Sequence, residues 1–205
     1  MESSPQAQPA ATDELISTGA IACIGWGSLV HRPGSLPCRG NWRLDGPLLP
    51  IEFARESANR SITLVICPQA PRVQTCWALL DVKNINEARD ALGLREYPSA
   101  RPKWIQEFIG YSEGANKPSF GLEADTIGRW VTSLGLAGAV WTNLPCKFQQ
   151  TNGLMPTGKQ VVDYLRSLQG ESRDTAEAYV RKAPAQVDTP YRRLIEKELG
   201  WTTLS

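Results

Sequence analysis

The sequence lacks several features that would assign the protein to a class at once. No apolar run is long enough to cross a membrane, and no internal repeat is present. The only histidine is His31, so no histidine pair is available to bind a metal ion. The 22 basic and 21 acidic residues nearly cancel, to a net charge of +1. This balance argues against nucleic acid or an anionic membrane surface as a partner.

The cysteine pattern argues against a disulfide framework. The five cysteines are an odd, scattered set, and none forms a C-x-x-C pair. Three of them, Cys23, Cys67 and Cys76, lie inside apolar runs that resemble strands. We therefore expect buried, reduced thiols in a cytoplasmic protein.

Composition also predicts the domain organisation. Residues 1–19 are rich in Ser, Pro, Ala, Gln and Thr, and they lack the basic start and apolar centre of a signal peptide, so a disordered tail is predicted. The remaining 20–205 predict one domain, because a chain of 205 residues with 41% hydrophobic content can bury one sizeable core. A segment near 101–138 has a loop-like composition, which fits an insert lying over a site as a lid.

The predicted fold class is α+β, with a curled or barrel-like mixed sheet and flanking helices. Apolar runs rich in β-branched residues predict strands between Ile21 and Val82, and the run from Ser61 to Cys67 is the clearest. Helical spacing begins near Asn84 and dominates the C-terminal part. Strands at short spacing followed by helices are typical of this class.

The segment that carries the most functional information follows the first predicted strand. There Gly25 and Gly27 flank Trp26, and Ser28 and Leu29 come next. Glycines allow a ligand to approach the main chain closely, and N–H groups at a strand end can hold a carboxylate or a developing oxyanion. A tight turn without any ligand fits the same five residues equally well.

A second segment, Leu-Gly-Leu-Arg-Glu-Tyr, ends the first predicted helix and contains Glu96. Taken alone, Glu96 fits a solvated or ion-paired glutamate beside Arg95. Its neighbour Tyr97 either frames a pocket or packs against the core. Arg55, on a predicted strand, has the reach to bind a substrate carboxylate through two hydrogen bonds, and a structural ion pair is an equal alternative.

The order of these features resembles the γ-glutamylcyclotransferase-like superfamily, which includes the ChaC-type glutathione-degrading enzymes. The family has a Tyr-Gly-Ser loop after its first strand, and Trp26, Gly27 and Ser28 match it here. The resemblance implies that Glu96 is the catalytic acid and base. It covers most of 21–97 and returns weakly in the tail, where Ala178-Tyr179-Val180 resembles part of the family's closing segment. Trp26 replaces the family's tyrosine, and 101–138 has no counterpart.

The chemistry that the resemblance implies suits these residues. A γ-glutamyl amide cyclises when its own α-amine attacks the γ-carbonyl, so an enzyme mainly has to orient the substrate. One carboxylate, Glu96, can accept a proton from the α-ammonium and then give one to the leaving amine. The N–H groups of Gly27, Ser28 and Leu29 can stabilise the oxyanion or hold the substrate carboxylate. No metal or other cofactor is required.

The sequence therefore predicts an enzyme that converts a small-molecule γ-glutamyl substrate to 5-oxoproline and a free amine. Two alternatives stay open: a binding module that holds a carboxylate without turnover, and an amine-releasing acyltransferase acting on a related metabolite. The residues specify neither the amine half of the substrate nor the oligomeric state.

Overall fold

The computed structural model describes residues 19–98 and 106–204, so nearly all of the predicted tail and residues 99–105 lie outside the described residues. The described part is α+β, as the sequence predicts. Its elements are β1 (Ile21–Gly25), α1 (Ser28–His31), β2 (Cys38–Arg43), β3 (Leu48–Glu56), β4 (Ile62–Ile66), β5 (Arg72–Gln74), β6 (Cys76–Leu80), α2 (Ile85–Glu96), a 3-10 turn (Gln106–Phe108), β7 (Ile109–Ser112), β8 (Ser119–Phe120), α3 (Ala124–Ser133), β9 (Gly138–Thr142), β10 (Lys147–Phe148), β11 (Thr151–Asn152), α4 (Gly158–Ser167), α5 (Gly170–Lys182) and α6 (Pro190–Leu199).

The strands form two mixed sheets. The first has the order β2-β6-β1-β9-β7-β8, in which β1 runs antiparallel to β6 and parallel to β9. The second has the order β11-β10-β3-β4, and β5 pairs with the start of β3. Within the described residues neither sheet closes on itself, so the closed form of the predicted barrel is wrong.

The chain passes from the second sheet to the first at Thr75. The sequence predicts one strand from Val73 to Val82, but β5 pairs with the second sheet and β6 with the first. At the break, the Thr75 hydroxyl donates to the Pro47 carbonyl at 2.6 Å, and the Gly46 N–H donates to the Thr75 carbonyl at 3.0 Å. These bonds fix the crossing point.

The helices α2 and α4 begin where their capping residues predict. The Asn84 side chain accepts the Glu87 N–H at the start of α2, and Thr157 forms a capping box with Gln160 at the start of α4. α5 is longer than predicted, because it begins at Gly170 instead of Thr175. Its first turn is polar and lacks the apolar spacing that predicts a helix.

The segment predicted as an insert is built into the fold over its described part. It contributes β7, β8 and α3, and β7 pairs with β9 in the first sheet. Ile109, Ile127 and Val131 from this segment are fully buried. The glycine, asparagine and proline residues between Ser112 and Phe120 predict an exposed loop, and residues 113–118 do form the connection between β7 and β8.

A buried carboxylate joins the second sheet to the last helix. Glu52 on β3 is 1% exposed, and it accepts hydrogen bonds from the Thr189 hydroxyl at 2.5 Å and the Tyr191 N–H at 3.2 Å. It also accepts the Phe53 N–H at 2.9 Å. Burial raises the pKa of this carboxyl, against the effect of these hydrogen bonds. Glu52 thereby fixes the start of α6 on the sheet.

Replacing Glu52 by alanine is expected to lower the free energy of unfolding by about 2–4 kcal/mol, because it leaves buried donors of Thr189 and Tyr191 without an acceptor. Urea unfolding measures this change. Asp90→Ala, at an exposed position on α2, is the matched control and should stay within about 0.5 kcal/mol of the parent protein. Equal stabilities of the two variants would contradict the role given to Glu52.

Candidate active site

The glycine loop is held against β4 by the side chain of Trp26. The indole is 4% exposed, and its Nε1–H donates to the Leu64 carbonyl at 3.0 Å. Trp26 therefore packs in the core while it also lines a cavity. The indole N–H is already used by Leu64, so a ligand meets this residue through its ring and its backbone.

The same peptide segment of β4 binds Tyr179 on α5. The Leu64 N–H donates to the Tyr179 hydroxyl at 3.1 Å. Burial raises the pKa of Tyr179 to about 12, so this hydroxyl stays protonated at neutral pH. A Cβ atom at position 27 would lie 2.5 Å from the Tyr179 oxygen, so Gly27 is required for this close approach.

The loop presents N–H groups that are free to bind a ligand. α1 begins at Ser28, and its first hydrogen bonds run from the Val30 N–H to the Gly27 carbonyl and from the Arg32 N–H to the Ser28 carbonyl. In the described ranges no protein acceptor is found for the N–H groups of Ser28 and Leu29. Donors at the start of a helix commonly stay unpaired in this way, which leaves them available to an anionic group.

Glu96 is the last residue of α2, and its carboxylate forms an ion pair with Arg95 at 2.5 Å. The side chain of Glu96 is 20% exposed and that of Arg95 is 11% exposed. The Arg95 guanidinium also donates to the Arg32 carbonyl at 2.6 Å, so it connects the end of α2 to the end of α1. Glu96 therefore both forms this ion pair and lines the cavity described next.

One cavity, of about 380 Å³, brings the predicted site residues together. All eight of them line it: Gly25, Trp26, Gly27, Ser28, Leu29, Arg55, Glu96 and Tyr97. The volume suits a small molecule, since ligand sites commonly measure about 300–1,000 Å³. None of the described residues of the segment 101–138 lines it, which gives no support to the expected lid.

Arg55 and Tyr97 occupy the wall beside the glycine loop. Arg55 donates to the Pro145 carbonyl at 2.8 Å, the one acceptor found for it among the described residues, so the ion pair expected as an alternative is not seen there. Burial lowers the pKa of this guanidinium and raises the pKa of the Tyr97 hydroxyl. The Tyr97 ring packs on Phe108 with 5.7 Å between ring centroids.

Sequence reasoning did not predict the other residues that line this cavity, and two of these, Lys147 and Tyr179, carry polar groups that bear on its chemistry. Lys147 lies opposite Arg55 in the parallel pairing of β10 with β3, so two cationic side chains share one wall. No local pattern marks a two-residue strand such as β10. Tyr179 belongs to the tail segment that resembles the family's closing segment, which was the one available signal.

A second cavity, of about 600 Å³, adjoins the first. Glu96 and Tyr179 line both cavities, as does Ser28 of the loop. The second cavity is also lined by His31, Arg32 and Lys182. Burial, followed by the charges of Arg32, Lys182 and Arg95, lowers the pKa of His31, so its ring is neutral at pH 7.

Comparison with known proteins gives no assignment: no family model, curated protein or solved structure matches the chain. Among residues 19–98 and 106–204, no group of three or more His, Cys, Asp or Glu side chains is arranged to hold a metal ion. In the same ranges, no helix combines the length and apolarity that a membrane span needs.

Gly27→Ala is expected to cost about 1–3 kcal/mol of stability, because the new methyl group displaces the Tyr179 hydroxyl from Leu64. Tyr179→Phe removes the atom that would clash, and the double variant should therefore lose at least about 0.5 kcal/mol less than the sum of the single losses. Urea unfolding of the four proteins gives these values. Additive losses would mean that the two residues do not depend on each other.

Proposed function

We propose that the protein is a metal-independent γ-glutamylcyclotransferase-like enzyme, and that its domain is a variant of that fold. It cyclises a γ-glutamyl amine or peptide and releases 5-oxoproline and a free amine. The observation that carries the proposal is the common cavity of Glu96 and the loop from Gly25 to Leu29. A carboxylate that shares a cavity with unpaired N–H groups meets the needs of this reaction. Buried free thiols fit a cytoplasmic location.

In the first step the Glu96 carboxylate takes a proton from the substrate α-ammonium, and the freed amine attacks the γ-carbonyl carbon. A C–N bond forms, and the N–H groups of Ser28 and Leu29 stabilise the negative charge on the carbonyl oxygen. Two cations of the same cavity, Arg55 and Lys147, bind the α-carboxylate of the γ-glutamyl group. Because attack is intramolecular, holding this conformer supplies much of the rate.

In the second step the bond to the leaving amine breaks, and Glu96 returns its proton to the leaving nitrogen. The ring nitrogen loses its second proton as the carbonyl group re-forms, and the departing amine takes up a second proton. Two protons leave one nitrogen and two reach the other, so Glu96 ends as it began. One carboxylate acts as base and then as acid, which requires access to both nitrogens.

The two adjoining cavities support a substrate with two halves. Glu96 and Tyr179 border both cavities, so the γ-glutamyl group fits the smaller one and the leaving half extends into the larger one. The larger cavity carries the positive charges of Arg32 and Lys182. We therefore expect leaving halves with a carboxylate to be preferred over neutral amines.

Glu96→Gln is expected to lower the rate of 5-oxoproline release about 10²–10⁴-fold, because the carboxamide cannot exchange protons with the two nitrogens. The assay uses glutathione and a panel of γ-glutamyl amino acids and γ-glutamyl amines. Glu56→Gln is the matched comparison: Glu56 also lines the cavity, but its oxygens accept from the Gln149 N–H and the Tyr164 hydroxyl. Unchanged turnover in Glu96→Gln would refute the assigned role.

No turnover by the parent protein on any member of the panel, together with tight binding of one of them, would instead identify a carboxylate-binding module. Isothermal titration of the same compounds provides that measurement. Release of the amine without 5-oxoproline would identify an acyltransferase.

Lys182→Ala should raise KM about two- to fivefold for γ-glutamyl amino acids, because an exposed cation contributes only about 0.2–1 kcal/mol to such a contact. KM for γ-glutamyl amines without a carboxylate should not change. Steady-state kinetics on matched pairs of substrates separates the two effects. An equal change in KM for both classes would show that Lys182 does not select the charge of the leaving half.

A further inference from the structure

Two cysteines that lie 79 residues apart in the sequence meet behind the wall of the candidate site. The Sγ atoms of Cys67 and Cys146 are 3.0 Å apart and share a hydrogen bond. Cys67 is fully buried and Cys146 is 6% exposed. Cys67 follows β4 and Cys146 precedes β10, and these strands lie on the two sides of β3.

The surroundings of the two sulfur atoms join them to the cavity. They pack with Ala54, Val65 and Leu144, and the last two of these also line the cavity. Val65 and Leu144 therefore belong both to the cluster around the thiols and to the lining of the cavity.

The two thiols differ in chemical character. The hydrogen bond from Cys67, together with the nearby positive charge of Arg55, lowers the pKa of the Cys146 thiol. The same hydrogen bond, together with burial, raises the pKa of Cys67. Cys146 is thereby the thiol suited to attack first as a thiolate, and Cys67, whose sulfur lies 3.0 Å away, is placed to attack second and to lose its proton as the S–S bond forms.

We propose that Cys67 and Cys146 are a redox site, which hydrogen peroxide converts to a disulfide and a thiol reductant restores. The Cys146 thiolate attacks one peroxide oxygen, the O–O bond breaks, and a sulfenic acid and hydroxide are formed. The Cys67 sulfur then attacks the sulfenic sulfur, the S–S bond forms, and water departs with the thiol proton. Two sulfur atoms are oxidised by two electrons in total, and one peroxide is reduced to two waters.

The disulfide restricts the wall of the candidate site. Leu144 and Lys147, on either side of Cys146, both line the cavity, and Arg55 donates to the carbonyl of Pro145 between them. A covalent bond to the end of β4 removes conformational freedom from this segment. The oxidised protein therefore holds its 144–147 segment more rigidly than the reduced protein. This proposal stands independently of the proposed cyclisation.

The test treats the reduced protein with a small excess of hydrogen peroxide, blocks the remaining thiols, and maps tryptic peptides by mass spectrometry. Cleavage places Cys67 in peptide 61–72 and Cys146 in peptide 130–147, each with no second cysteine. The expected product is these two peptides joined through a disulfide, with loss of two hydrogen atoms and reversal by dithiothreitol. Hydrogen–deuterium exchange over 144–147 should be slower in the oxidised protein than in the reduced protein.

Cys38 supplies the control, because it is the one partly exposed cysteine and the other four are buried. Cys38→Ser should leave the joined peptides unchanged, and Cys146→Ser should abolish them. Oxidation of Cys38 in preference to the pair, or overoxidation of Cys146 without a link to Cys67, would overturn the proposal. Equal hydrogen–deuterium exchange over 144–147 in the two redox states would contradict the proposal that the disulfide makes this segment more rigid. All of these readouts use the protein without substrate, so they do not depend on turnover.

Discussion

The site depends on the way in which Trp26 and Tyr179 bind the outer edge of β4. Among the described residues β4 is the last strand of the second sheet, and no other described strand pairs with its outer side. At Leu64 the carbonyl accepts the Trp26 indole N–H, and the N–H donates to the Tyr179 hydroxyl. These two bonds bring the loop after β1 and the helix α5 to the same point of the strand. Gly27 is required there because the Tyr179 oxygen leaves no room for a side chain.

Once the loop is fixed, its charged neighbours give the cavity an uneven charge distribution. Arg95 holds the Glu96 carboxylate and the Arg32 carbonyl together, so the end of α2 cannot move independently of α1. Arg55 and Lys147 line the same cavity. A ligand that carries both an ammonium group and a carboxylate would meet complementary charges there, which supports the amino-acid-like substrate that we propose.

Local patterns predicted most of the longer strands and helices and the position of the glycine loop, because strand alternation, capping residues and glycine turns act over short distances. Glu96 was singled out by the family resemblance and not by a local pattern. Local patterns were insufficient where a contact joins distant parts of the chain. The bond between Leu64 and Tyr179 spans 115 residues, and the one between the Cys67 and Cys146 sulfur atoms spans 79. The break at Thr75 was also missed, since the apolar pattern continues through it while the hydrogen-bond partners change.

The central claim is that Glu96 and the loop N–H groups act on the same γ-glutamyl group. A crystal structure of Glu96→Gln with γ-glutamylalanine tests this claim most directly. The account predicts the γ-carbonyl oxygen within hydrogen-bond distance of the N–H groups of Ser28 and Leu29, with the α-amine beside the side chain of residue 96. A γ-glutamyl group bound outside this cavity, or with its amine turned away from residue 96, would contradict it.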